Sequence, residues 1–172
     1  MKHIIGDYET HLARVNNALR KWGIDQEELA GCDHLAYRVE TMAQYKDVQA
    51  KLGRVASSCG EVLIAGRPID VFELPREKWL RAGGWVIPYI ELPAPKEDSP
   101  YHSGLEHVEF VVQGSLPAFH RRHKELSWVT KALSHAINPA LGLKDDSTGA
   151  SVKFHQISIG AVIDLEIAAE SA

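Results

Sequence analysis

The chain opens on apolar residues at three- and four-residue steps, Ile5, Tyr8, Leu12, Val15, Leu19 and Trp22, the spacing of one helix face, with Gly23 as its stop. His3 and His11 flank this stripe and are expected to face solvent. Asp25 and Glu28 read as an N-cap and its reciprocal partner, opening a short second helix that Gly31 closes. At residue 33 the period changes to two. The run Asp33-His34-Leu35-Ala36-Tyr37-Arg38-Val39 alternates like a half-buried strand, and Glu106-His107-Val108-Glu109-Phe110-Val111-Val112 repeats it 73 residues later.

The segment after each strand repeats as well. Thr41 with Gln44 forms a capping box ahead of the stripe Tyr45, Val48, Leu52 and Val55, and Ser115 caps the matching stripe Leu116, Phe119, His123 and Leu126. Three strand-like runs come next in each half, at 61–65, 69–74 and 85–92, then at 128–136, 152–157 and 161–167. A linker rich in proline and charge, residues 93–100, lies between the halves. The pattern predicts an α+β protein of two tandem βαβββ modules, at 32–95 and 101–172, with an N-terminal helical addition at 1–31, fused into one globular unit.

Composition narrows the function classes. At 172 residues, 45% hydrophobic and 24% charged, the chain can bury a core, and its net charge of -4 speaks against nucleic acid or an anionic membrane as partner. The basic run His120-Arg121-Arg122-His123-Lys124 reads as a solvated helix face. Cys32 and Cys59 have no paired spacing, so neither a disulfide framework nor a cysteine metal site is expected. The first residues lack the apolar core of a signal peptide, and no run approaches the ~18 apolar residues of a spanning helix. A cytoplasmic protein is the expectation.

The repeat carries candidate chemistry. A lone strand histidine is usually a satisfied structural group, but His34 and His107 at equivalent places in two copies suggest a shared site. A carboxylate recurs too: Glu91 comes 57 residues after His34, and Glu166 comes 59 after His107. Imidazole with carboxylate suits zinc, nickel, iron or manganese, with open positions for water or substrate. Glu109 and Glu166 are the candidate catalytic carboxylates, and Arg38 and His155 the candidate substrate contacts.

In its repeated module, with histidine in the first strand and glutamate in the last, the chain resembles the vicinal oxygen chelate superfamily of glyoxalases, extradiol dioxygenases, epimerases and bleomycin-resistance proteins. More narrowly, it is similar to bacterial proteins of the YecM type. The resemblance, over residues 33–167, implies curved mixed sheets closing on a cleft whose floor holds a divalent metal. It implies His34, Glu91, His107 and Glu166 as ligands, with Glu73, in a similar Glu-Leu-Pro context, competing with Glu91 for the first-module place. A metal-dependent isomerase, lyase or dioxygenase acting on a small oxygen-rich molecule is one functional expectation. A metal-free small-molecule binder is the other. Two modules in one chain imply a self-sufficient monomer.

Overall fold

The computed structural model describes residues 1–64, 67–96 and 101–170, with the side chains of 62–64, 166, 167, 169 and 170 outside that description. Residues 97–100 of the predicted linker and residue 65 of the predicted 61–65 strand therefore lie outside the described residues. The fold is α+β, and its centre is an antiparallel pair, β1 (Leu29–Arg38) and β7 (Gly104–Val112), made by the two repeated segments. On one flank β6 (Tyr89–Pro93) runs parallel to β1, followed outward by β3 (Arg67–Glu73) and β2 (Ser57–Ile64). On the other flank β9 (Ala150–His155) runs parallel to β7, followed by β8 (Ala140–Asp145). The result is one seven-stranded mixed sheet in which the modules meet about a pseudo-twofold between β1 and β7.

Apart from the C-terminal helix, the helices cover the face away from the cleft. The N-terminal stripe is divided: α1 (Lys2–Ile5) ends at Gly6, whose φ of 82° is the left-handed region, and Asp7 then caps α2 (Tyr8–Lys21) by accepting from the Thr10 N–H. Leu12, Val15, Ala18 and Leu19 of α2 are buried, which makes this helix a buttress. His11 is buried with them, at 4% exposure, and does not face solvent as expected. The capping box at Asp25 and Glu28 opens only a 3-10 turn, Gln26–Glu28, because the chain enters β1 at once. Thr41 and Gln44 make the predicted capping box on α3 (Met42–Leu52), and Ser115 caps α4 (Leu116–Arg122).

The predicted 85–92 strand is divided at Pro88, into β5 (Trp85–Ile87), paired with β4 (Leu80–Ala82) as a separate hairpin, and β6. In the second module the strand count shifts. The predicted 128–136 strand is reduced to a single bridge, Val129 to Gly142, and a 3-10 turn, Lys131–Ser134. Trp128 instead packs beside Phe119 and Phe154. The bridge lies beside β8 as β2 lies beside β3, so β9 is the last strand of this module and the match of β6. The predicted 161–167 strand is a helix, α5 (Ile159–Glu170), opened by Ser158, whose Oγ accepts the Ala161 N–H. No helix among the described residues is long and apolar enough to cross a membrane.

Candidate metal centre

Two β-bulges shape the site. Along β1, Cys32 pairs with Phe110 and His34 with Glu109, which leaves Asp33 as an extra residue. Further along, Leu35 pairs with Val108 and Tyr37 with Leu105, which puts the extra residue on β7 beside Glu106 and His107. A bulge turns neighbouring side chains toward one face and so re-aims them. Each acidic residue thereby reaches the histidine next to it: Asp33 Oδ2 lies 3.1 Å from His34 Nδ1 and Glu106 Oε2 lies 3.2 Å from His107 Nδ1. With Nδ1 engaged, each ring turns Nε2 toward the sheet centre.

Glu91 from β6 and Glu109 from β7 meet them there. His34 Nε2 is 3.1 Å from Glu91 Oε2 and 3.4 Å from Glu109 Oε1; His107 Nε2 is 3.5 Å and 2.9 Å from the same two atoms. Donors about 2.0–2.2 Å from one ion stand roughly 3.0–3.5 Å apart. These separations therefore suit a small divalent ion, and His34, Glu91, His107 and Glu109 form the group among the described residues that could hold one. Carboxylate-oriented imidazoles are the usual support of such ligands.

The electrostatics agree with a site built for positive charge. Burial disfavours the charged form of His34, yet Glu109, Asp33 and Glu91 outweigh it and hold the imidazole well above its ordinary value. Burial and the Lys153 ammonium push His107 down, while Glu106, Glu109 and Glu91 lift it to about 9. Burial raises Glu91 and Glu109, but the two histidines, with Lys153 beside Glu109, hold both carboxyls below the usual range. Protons on the imidazoles balance the carboxylates where an ion would replace them.

The other sequence-predicted residues fall around this group. Arg38 lines the cleft, pairs with Glu106 through its guanidinium and stacks on Tyr101, 4.2 Å from the ring centroid. His155 receives the Asn138 amide on Nδ1 at 2.7 Å and faces Asp33 with Nε2 at 3.3 Å; burial lowers its imidazole. Glu73 sits at the end of β3, 3.5 Å from the Tyr89 hydroxyl, outside the donor group. Glu166 falls on α5 rather than on a last strand, with its side chain outside the described residues. Its expected strand does not exist, and the fourth donor of the group is Glu109. Register shows why. Glu91 stands opposite Ala36, two residues past His34, and Lys153 stands opposite Glu109, two residues past His107. Lys153 thus occupies the place that matches Glu91, while the second-module carboxylate has moved to β7.

Sequence reading missed the roles of Asp33, Glu106 and Lys153. The signal for the first two was present, since an acidic residue precedes each repeated histidine, but alternation alone sends neighbours to opposite faces. The cleft above the donors holds about 540 Å³ and is walled by Ile69 and Val71 on β3 and by Ile159, Val162 and Ile163 on α5. The Ile159 N–H, at the start of α5, donates to Asp33 Oδ2 at 2.8 Å.

A family model described as YecM protein matches residues 1–166. Protein YecM of Escherichia coli (strain K12) is 26% identical over a 188-residue alignment that takes in 96% of this chain and 94% of that protein. A structural-genomics structure, Protein EC4020, is 25% identical with a TM-score of 0.75, over 91% of this chain and 87% of that one. Methylmalonyl-CoA epimerase from Mycobacterium tuberculosis shares the fold at 15% identity and a TM-score of 0.54, over 80% of this chain and 95% of the epimerase. A variant of the Streptomyces coelicolor epimerase, solved in complex with 2-nitronate-propionyl-CoA, does so at 16% and 0.53, over 76% and 99%. These likenesses place the architecture with the glyoxalase-like, vicinal oxygen chelate fold.

Proposed function

The chain belongs to the YecM family, and on that footing we propose that it is a divalent-metal protein acting on a small oxygen-rich molecule by proton-transfer isomerisation or a lyase reaction. The observation that carries this reading is the convergence of His34, Glu91, His107 and Glu109, with a carboxylate behind each imidazole. A bound ion would supply Lewis-acid polarisation of substrate oxygens. The protein's own groups supply the rest. Asp33 and Glu106 hold the two imidazoles in one orientation, and Arg38 fixes Glu106. Isoleucines and valines of β3 and α5 make the cleft walls apolar, which strengthens charge interactions at the floor. Arg67 and Lys96 also line the cleft and favour a ligand with an anionic end. Proton transfer is favoured over dioxygenation because titratable groups crowd the donors and the reaction needs no co-reactant.

Equilibrium dialysis against zinc, nickel, iron and manganese, with metal analysis of the retained protein, tests the reading. About one ion per chain is expected, lost in His34→Ala and His107→Ala variants that keep the native circular dichroism. Absence of any bound ion in the unaltered protein contradicts the proposal and leaves a metal-free binder, whose ligand affinity would survive both histidine substitutions and depend on Arg38.

A further inference from the structure

The least expected group at the floor of the cleft is a cation. Lys153 Nζ lies 2.6 Å from Glu109 Oε1 and 2.9 Å from His107 Nε2, the same two atoms that belong to the donor group. It projects from β9 at the register position that Glu91 occupies on β6. One half of the pseudo-twofold site therefore offers a carboxylate and the other an ammonium at the matching place. The consequence for an ion is geometric. Any ion about 2.0–2.2 Å from Glu109 Oε1 must lie within roughly 5 Å of Nζ in its present position. A dication and an ammonium so close repel strongly in a partly buried site. Glu109 Oε1 would also have to serve both at once. Lys153 is not locked in: its side chain keeps 38% of its exposure, and its flexible stem lines the cleft.

We infer that Lys153 is a built-in competitor of the metal, an internal cation seated at the place that matches Glu91, which must swing away from His107 and Glu109 before an ion can settle. This rests on the metal-binding reading above. The displaced ammonium stays in the cleft, where it faces whatever anionic oxygen the ligand brings. The site is thereby tuned toward weak, exchangeable loading in place of the tight closure that a third carboxylate would give.

The test measures zinc and manganese affinity by calorimetric titration of the full chain, with circular dichroism and thermal melting to confirm folding. The unaltered protein is compared with Lys153→Gln, Lys153→Glu and Lys153→Arg. Removing the charge in Lys153→Gln should tighten binding roughly tenfold or more, the scale on which one neighbouring group acts on a metal site. Lys153→Glu, which restores the carboxylate that matches Glu91, should tighten it further, and Lys153→Arg, which keeps the charge, should stay near the unaltered value. If the unaltered protein binds an ion and folded Lys153→Gln and Lys153→Glu bind it no more tightly, the competitor role is wrong and the metal reading stands. If none of the four binds an ion, both are wrong.

Discussion

At the scale of single residues, the site depends on side chains that touch no open space. Asp33 is buried and its Oδ2 meets His34 Nδ1, the Ile159 N–H and His155 Nε2. Asp33→Asn keeps its shape but loses the charge that orients His34. Metal affinity should then fall on the order of 10- to 100-fold with the fold retained, as read by titration. His11 makes a separate statement about stability. Burial first, and then the charges of Arg14 and His107, lower its imidazole to about 4, and its Nε2 has no hydrogen-bond partner. The folded-state value lies below the unfolded one, so its contribution is fully present above about pH 6.5 and is lost as pH falls toward 4. That loss amounts to about 3 kcal/mol at most. Urea unfolding of His11→Leu should show a shallower decline between pH 6.5 and 4 than the unaltered protein, with stability near pH 7 raised by about 1 kcal/mol as the unpartnered nitrogen is removed. Equal pH slopes in the two proteins would assign the acid loss elsewhere.

Elements show what was legible in the sequence. The two histidine strands could be read because alternation and repetition agree there, and both became neighbours at the sheet centre. Residues 161–167 satisfied the strand period just as well, yet Ser158 as a cap and the alanines toward the end of α5 favour a helix. The strand at Ala140–Asp145 was hidden because the turn-forming Asn138-Pro139 precedes it and Gly142 interrupts its apolar run, and that displaced the last strand of the second module by one place. Glu166 was placed on a last strand by that miscount, and Lys153 was overlooked by it. Bulges were invisible for a different reason: they break the period of two on which strand reading rests. Between elements, Asn16 of α2 ties the β4–β5 hairpin down, donating to the Gly83 carbonyl and accepting from the Trp85 indole. Gly83 has a φ of 62°, and a Cβ there would strike the Asn16 amide. Gly83→Ala should therefore cost about 1–3 kcal/mol in urea unfolding. Gly31→Ala, at an ordinary φ with open space around it, should change stability far less.

For the whole molecule, the repeat places matching strands on either side of β1 and β7, and the cleft floor is the place where both modules contribute. Symmetry in the backbone is not copied in the side chains. Glu91 is answered by Lys153, and Ala36 by Glu109, so the donor set closes with one carboxylate from a last strand and one from a first. Such asymmetry gives the two faces of a bound ligand different surroundings. Anomalous diffraction from crystals grown with zinc or manganese, recorded at the edge of that metal, decides whether this floor holds an ion. One peak is expected about 2.0–2.2 Å from His34 Nε2, His107 Nε2 and the nearest oxygens of Glu91 and Glu109, with Lys153 turned away. No peak at this cluster, with Lys153 Nζ still seated between His107 and Glu109, would contradict a metal centre there.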